Sequence, residues 1–217
     1  MPPHARAGAI GRGHRFAADP WCWTDELGGA MHGLCIVLSD QPDDALAPFA
    51  DHLKVEKYRS YLEPSDVTSM AEHFGLSAQD LSTLAAKLPE WHGSDGGIDG
   101  GRLFVWSTEN PQAKYDWYQV GGRFSGYFRL TEPVPAPWWR RLLGKGSIDR
   151  ANRAVKRQVD ATAVLADPPA ALLVDGAWHE CPLTTDEQQL NAWRSEFAAL
   201  FERVPTDAVL TAVDIHS

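Results

Sequence analysis

The stretch at residues 110–128 is where chemistry is most expected, because aromatic rings, glycines and ionisable groups alternate within it. Two adjacent glycines let backbone N–H groups approach a ligand closely, and Arg123 beside them offers a planar fork for a phosphate or carboxylate. A flat moiety of the ligand can stack on a neighbouring ring. We therefore expect a ligand-binding site formed by Lys114, Trp117, Tyr118, Gly121, Gly122 and Arg123.

The same stretch also fits a purely structural role. Gly121 and Gly122 then form a β-bulge, the aromatic side chains fill the core, and Asp116 pairs with Arg123 or Lys114 as a buried polar clasp. A lone Gly-Gly-Arg is much weaker than a complete phosphate-binding loop, so the sequence favours neither role decisively.

A second group of polar residues ends the chain. Asp214 and His216 stand two residues apart, so in a strand they point to the same face. They can provide an oriented general base or two metal ligands, with His32, His179 or Asp116 as partners from neighbouring strands. The catalytic candidates are therefore Asp116, Asp214 and His216, and no metal site is assigned. The alternative is that both side chains simply face solvent while Val213 and Ile215 fill the core.

The third group is a basic segment from Arg140 to Arg157, with seven cations interrupted by one carboxylate, Asp149. A cluster of this kind can contact RNA, DNA or an acidic protein, and it can equally be a solvated helix face. Nucleic-acid contact is expected only through this segment, whose cations are Arg140, Arg141, Lys145, Arg150, Arg153, Lys156 and Arg157.

Composition limits the class of protein. The chain has 217 residues, a formal charge of −9 and 44% hydrophobic residues, which suffices for a sizeable core and argues against a surface that binds nucleic acid or membrane throughout. The three cysteines lack a Cys-x-x-Cys pair, and no apolar run reaches the length of a membrane span. We expect a cytoplasmic protein with no membrane partner, and the sequence identifies no cofactor.

Periodicity and capping residues predict the elements that would position these groups. Strands are expected at residues 33–38, 102–106 and 209–216, a hairpin at 171–180 around Asp175-Gly176, and a strand pair or bulged strand at 117–130. Helices are expected at 43–52, 65–74 with Ser65 as N-cap, 81–88 ended by Pro89, 148–162, and 185–204. Residues 93–101 are expected to form a loop, and Pro133, Pro135 and Pro137 to mark an extended linker.

This order of elements predicts an α+β fold with an antiparallel or mixed sheet and helices mainly on one face. A ferredoxin-like arrangement is the first expectation within that class. Residues 1–30 look like a flexible extension, with Met31 as a candidate natural start, and residues 31–217 are expected to form a single α+β domain.

Residues 110–126 resemble the tryptophan-rich motif, ending in Gly-Gly-Arg-Trp, of a group of uncharacterised actinobacterial and phage proteins. Weaker similarities are residues 145–149, residues 175–178 and the Val-Asp-x-His ending at 213–216. Tyr115 and Phe124 stand where tryptophans are expected in that group. The resemblance implies that residues 31–217 form one unit; no activity is established for the group, so it implies no mechanism.

Two functions in different classes remain open. The first is a cytoplasmic interaction or accessory protein, associated with a phage or mobile element, that contacts an unidentified protein partner through its aromatic Gly-Gly-Arg motif. The second is a small enzyme acting on an anionic or nucleotide-like ligand held by Arg123. The enzyme requires that Arg123, Asp116 and His216 converge in one pocket.

Overall fold

The computed structural model describes residues 32–135 and 147–216, which form two compact units. The first unit comprises the described residues up to Pro42 and those of Tyr118–His216, and the second unit, Asp43–Trp117, is inserted into it. The expected extension at residues 1–30, the Met31 start and Pro137 lie outside the described residues. The single-domain boundary at 31–217 stays a prediction.

A six-stranded sheet forms the centre of the first unit. Its strands are β1 (His32–Val37), β5 (Trp117–Val120), β8 (Arg153–Val155), β9 (Ala171–Val174), β10 (Ala177–Glu180) and β11 (Val209–His216). Their order is β10-β9-β1-β11-β5. Strand β1 runs parallel to β9 and antiparallel to β11, and both β5 and β8 pair with the other edge of β11. The predicted hairpin is confirmed, with positive φ at both Asp175 and Gly176, as a type I′ turn requires.

Two helices cover one face of this sheet, α4 (Ala161–Ala166) and α5 (Glu187–Arg203). The side chain of Asp186 caps α5 by accepting a hydrogen bond from the N–H of Gln188 at 2.9 Å. The apolar stripe of α5 is buried as the spacing predicted, against sheet residues that alternate along β1, β9 and β11. The packed residues include Trp193, Phe197, Leu200 and Phe201 on the helix and Leu34, Ile36, Leu172 and Leu210 on the sheet.

The helix expected at residues 148–162 is wrong. The segment forms β7 (Ser147–Ala151), which pairs with β6 (Phe128–Pro135), and then β8, a 3-10 turn at Lys156–Gln158 and the start of α4. Its backbone groups find partners in β6 and β11, and those tertiary hydrogen bonds override the helical spacing of its arginines. Pro133 and Pro135 lie within β6, so the linker expected there is also wrong.

The second unit packs two helices on one face of a three-stranded antiparallel sheet. After α1 (Pro42–Leu46) come β2 (Lys54–Tyr61), α2 (Pro64–Phe74), α3 (Leu81–His92), β3 (Gly96–Asp99) and β4 (Arg102–Glu109), with sheet order β2-β4-β3. Leu103 and Val105 of β4 face the helices, where they meet Met70, Leu84 and Leu88.

Three expectations for the second unit need correction. Glu63, not Ser65, is the N-cap of α2, with Pro64 as the first helical residue. Pro89 lies inside α3, which continues to His92 and ends at Gly93 in the left-handed conformation. The expected loop at 93–101 contains β3, because the edge of β4 supplies partners for its backbone.

The α+β class is confirmed, with mixed and antiparallel sheets and with helices on one face of the main sheet in each unit. The ferredoxin-like order is not the one observed. A complete second unit and the β6–β7 pair lie between β1 and the β9–β10 hairpin, and the first strand of that hairpin is the one beside β1. Hydrophobic periodicity identifies strands without identifying their neighbours, which explains the difference.

Candidate functional site

The polar ends of β1 and β11 meet in the first unit. His32 lies opposite His216 in the antiparallel register, and Leu34 lies opposite Asp214. Because side chains alternate along a strand, His32, Asp214 and His216 point to the same sheet face. This is the face that carries Leu210 and Ala212 into the core further along β11. The prediction that Asp214 and His216 share a face is confirmed, and His32 is the neighbouring partner.

Asp214 is a buried carboxylate, 2% exposed, with a hydrogen-bonding partner for each of its oxygens. Its Oδ1 lies 2.9 Å from Nδ1 of His32, and its Oδ2 accepts a hydrogen bond of 2.9 Å from the backbone N–H of Arg123. Burying a carboxylate without partners is costly, so both contacts stabilise Asp214 in its buried position. The interpretation in which Asp214 faces solvent is wrong, because both faces of β11 are buried over most of its length.

The Gly-Gly-Arg motif forms the turn that places the backbone N–H of Arg123 within hydrogen-bonding distance of Asp214. Gly121 and Gly122 have φ values of +76° and +44°, and a 3-10 turn follows at Gly122–Phe124. The N–H of Gly121 bonds to the carbonyl of Ala212 at 2.9 Å, which attaches the turn to β11. A Cβ at Gly122 would lie 2.5 Å from Cβ of Asp214, so glycine is needed there for space as well as for conformation.

Asn152 completes the turn, and sequence reasoning missed it. A Cβ at Gly121 would lie 2.6 Å from Cγ of Asn152. The backbone carbonyl of Asn152 accepts a hydrogen bond from the N–H of Ala212, and its side-chain Oδ1 accepts one from the N–H of Gly126. Asn152 lies within the segment that the sequence predicted to be helical. No local pattern connected it to a glycine pair 30 residues earlier in the chain.

The arrangement of His32 and Asp214 is suited to proton transfer. An ionised carboxylate can only accept, so in that state Nδ1 of His32 donates the hydrogen bond and a neutral imidazole carries its lone pair on Nε2. His32 is 16% exposed, and its ring lies edge-to-face with that of His216 at a centroid distance of 5.1 Å. The carboxylate can therefore hold His32 in one tautomer and stabilise the imidazolium that forms when Nε2 takes a proton.

His179 does not share this site, although the sequence allowed it as a partner. It lies on β10, two strands away from β1, and its Nδ1 contacts Glu196 of α5 at 3.1 Å. Among the residues that the structure describes, no group of three or more His, Cys, Asp and Glu side chains is arranged to hold a metal ion.

The predicted ligand-binding residues are divided between the two units. Gly121, Gly122, Arg123 and Tyr118 belong to the first unit, where the side chain of Arg123 is exposed and Tyr118 is half-buried. Lys114, Asp116 and Trp117 belong to the second. The buried clasp expected for Asp116 is wrong, since Asp116 is exposed. The aromatic core expected of the same interpretation is confirmed at Tyr115, Phe124 and Phe128 but not at Trp117, which is 49% exposed.

The first part of the motif holds a loop in the second unit. Asn110 is buried, and its Nδ2 donates to the carbonyls of Pro48 and Ala50 at 2.7 and 2.9 Å. The N–H of Lys114 donates to the carbonyl of Phe49 at 2.8 Å. These bonds give the Asn-Pro-Gln-Ala-Lys sequence a structural role that its composition alone did not indicate.

The predicted basic segment does not form one helix face. Arg150 lies on β7, Arg153 on β8 and Arg157 in the 3-10 turn, and all three are exposed. Lys156 has a structural role, because its Nζ donates to the carbonyls of Phe201 and Val204 at 2.6 Å and caps the end of α5. Partial burial lowers the pKa of this ammonium group. Arg140, Arg141 and Lys145 lie outside the described residues.

The cysteines that the structure describes, Cys35 and Cys181, are buried. Burial raises the pKa of the Cys35 thiol, which keeps it protonated and unreactive. The helices within the described ranges 32–135 and 147–216 fall short of the length and hydropathy that a membrane span needs.

Comparison with known proteins adds no further assignment. No protein-family model, no curated protein and no solved structure matches this chain. The resemblance of residues 110–126 to an actinobacterial and phage group stays a prediction.

Proposed function

We propose that the first unit contains a binding site for a small anionic ligand, and that His32 acts at this site as the general base of an enzyme. The observation that carries the proposal is the buried carboxylate of Asp214, which contacts His32 through one oxygen and the Arg123 N–H through the other. The residue that would hold the anion is thus joined by one hydrogen bond to the carboxylate that orients the base.

The proposed chemistry is a proton transfer. The guanidinium of Arg123 binds a phosphate or carboxylate of the ligand, and His32 Nε2 accepts a proton from a nearby C–H group of the same ligand. Asp214 keeps its charge and stabilises the imidazolium. Asp116 is not needed in this scheme, so the site differs from the three-residue convergence that the sequence suggested.

A thermal-shift screen tests ligand binding. The panel contains inorganic phosphate, nucleotides, sugar phosphates and small carboxylates, each applied to the wild type, to Arg123→Ala and to the matched control Arg129→Ala, an exposed arginine on β6. A ligand at about 100 times its Kd stabilises a protein by about 2.7 kcal/mol. We expect stabilisation of the wild type and the control but not of Arg123→Ala. Equal responses of the two variants would reject the assignment of Arg123.

The role of His32 needs a separate measurement. A ligand that binds is incubated with the protein in D2O, and loss of an exchangeable C–H signal is followed by NMR. We expect deuterium incorporation with the wild type, and none with His32→Gln although that variant still gives the thermal shift. Exchange that persists in His32→Gln would exclude His32 as the base while leaving the binding site intact.

As a second candidate we propose the interaction or accessory protein, and a different observation favours it. The second unit exposes the aromatic side chains of Tyr61, which lies next to the guanidinium of Arg102, and of Trp117. Exposed aromatic groups of this kind are frequent at binding surfaces. Its phage association and its cytoplasmic location stay expectations from the sequence.

A further inference from the structure

The three-stranded sheet of the second unit has one face under helices and one face that carries rings and cations. Strand alternation puts Leu103 and Val105 under α2 and α3, while their neighbours point the other way. Tyr61 lies opposite Phe104 in the register, and Arg59 lies opposite Trp106. The aromatic–cationic face consists of Lys57, Arg59, Tyr61, Arg102, Phe104 and Trp106.

The cations of this face lie over its rings. Lys57 Nζ is 5.0 Å from the centroid of Trp106, and the guanidinium of Arg102 is 4.7 Å from that of Tyr61. Arg59 is shared between Phe104 and Trp106, at 5.1 and 5.7 Å. Each of the three rings therefore lies within reach of a positive charge.

The face is accessible and differs in charge from the rest of its unit. Tyr61 is 37% exposed, Lys57, Arg59 and Arg102 are exposed as well, and Trp106 is half-buried, whereas Phe104 is buried. The unit has six Lys and Arg residues against thirteen Asp and Glu residues, and half of those cations stand on this face. The face is bordered by the carboxylate of Asp99, whose Oδ2 accepts hydrogen bonds from Arg59 and Tyr61.

We propose that the aromatic–cationic face binds single-stranded RNA. Phosphates attract Lys57, Arg59 and Arg102 away from the rings, and unstacked bases take their place over Tyr61 and Trp106. A duplex cannot do this, because its bases are already stacked. The Asp99 carboxylate has acceptor capacity left, which suits a 2′-hydroxyl donor and would repel a phosphate, so RNA fits better than DNA.

This proposal is independent of the proton-transfer site in the first unit. It also moves the expected nucleic-acid contact from the Arg140–Arg157 segment to a surface that the sequence analysis did not identify. The signal was present in the alternation Lys57-x-Arg59-x-Tyr61 and Arg102-x-Phe104-x-Trp106, which places these six side chains on one face of the sheet.

Fluorescence anisotropy with a labelled twelve-nucleotide RNA of mixed sequence, titrated with the full chain up to about 100 µM, is the direct test. We expect saturable binding. A plot of log Kd against the logarithm of the salt concentration should have a slope of about two, because roughly three phosphates are neutralised. Arg59→Ala and Trp106→Leu should each weaken binding about tenfold, and Trp106→Phe should retain most of it.

The matched control is Lys87→Ala on α3. It removes the same charge from the same unit, and Lys87 also lies over a ring, that of Phe74, at 5.0 Å. We expect its RNA affinity to equal that of the wild type. Circular dichroism separates loss of binding from loss of fold, and Lys57→Gln, which removes an exposed cation, provides a second variant if Arg59→Ala unfolds.

Several outcomes would overturn the proposal. Absence of binding over the whole titration would do so, as would equal weakening by Lys87→Ala and Arg59→Ala. Equal or tighter binding of a duplex would exclude the stacking mode. Equal or tighter binding of DNA with the same sequence would reject RNA, and saturable binding of an acidic peptide in place of RNA would assign the face to a protein partner.

Discussion

Asp214 in the first unit and Asp99 in the second each accept two hydrogen bonds, yet their surroundings are opposite. Asp214 is buried at the end of β11 and binds His32 and a backbone N–H. Asp99 has a side chain that is 43% exposed and binds Arg59 and Tyr61 on an open sheet face. The comparison shows that the number of hydrogen bonds does not by itself determine how firmly a carboxylate is held. The two hydrogen bonds of a buried carboxylate fix its position, whereas those of an exposed carboxylate can be exchanged for water.

The same contrast holds for the cations of the two units. Lys156 is committed to the last carbonyls of α5, so it stabilises the fold. Arg59 and Arg102 lie over rings in contact with water, where a ligand phosphate can attract them at little structural cost. Residues of one chemical type therefore have different functions according to burial.

The largest expected effect tests how tightly the first site is packed. Gly122→Ala should lower the free energy of unfolding by roughly 3 kcal/mol, because the positive φ costs about 1–2 kcal/mol and the contact with Asp214 adds the remainder. Gly101→Ala in the second unit also has a positive φ but meets nothing within 4 Å, so about 1–2 kcal/mol is expected. Urea denaturation of both variants measures the difference; equal losses would contradict the close packing.

A smaller effect is expected from removing each carboxylate. Asp214→Ala leaves the Arg123 N–H and His32 without their acceptor in a buried site and should cost about 2 kcal/mol of stability. Asp99→Ala should leave the free energy of unfolding close to that of the wild type, because its partners can turn to water. A large loss in Asp99→Ala would remove the distinction between the two sites.

Combining Gly122→Ala with removal of the whole Asp214 side chain sharpens this comparison. In an Asp214→Gly background the Cβ, Cγ and Oδ2 atoms that oppose a Cβ at Gly122 are absent, so Gly122→Ala should cost about as much as Gly101→Ala does in the wild type, about 1–2 kcal/mol. A double-mutant cycle from urea denaturation gives the coupling. Strict additivity of the two changes would show that Gly122 is needed only for its conformation.

The smallest effect concerns protonation of the open site. The Tyr61 hydroxyl, and after it the charge of Arg59, lower the pKa of Asp99. A carboxyl group whose pKa is lower in the folded state adds stability above its unfolded pKa of about 3.9, and that stability is lost as the pH falls through the folded pKa. We expect an NMR titration to place Asp99 below an ordinary aspartate and Tyr61→Phe to move it back. An unchanged titration in Tyr61→Phe would contradict the assignment.

Local structure was predictable where local chemistry decides it. The Asp175-Gly176 hairpin, the apolar stripe of α5 and the terminal strand β11 agree with their sequence patterns. The failures have two causes: residues 148–162 take their conformation from pairing with β6 and β11, and β3 was taken for a loop because of its glycine-rich composition, although its partner β4 follows it directly. The helical spacing of the arginines does not indicate that this segment can pair with an edge of β11 instead of forming a helix.

For the candidate site, the sequence placed Asp214 and His216 on one face and allowed His32 as their partner. It also identified the glycine pair, whose members leave room for side chains of the same chain, Asn152 beside Gly121 and Asp214 beside Gly122. Asn152 was missed, because an asparagine in a loop has no distinctive spacing. The aromatic–cationic face was missed because its residues come from two strands whose pairing is not evident from the sequence.

The amino-acid sequence by itself determined the α+β class, the strands that end in ionisable residues and the positions where only glycine fits. Tertiary structure alone decided which of these groups meet: His32 and Asp214 are 182 residues apart in the chain and 2.9 Å apart in space. The physical reason is that periodicity depends on near neighbours, whereas strand pairing depends on backbone hydrogen bonds and burial contributed by the whole chain.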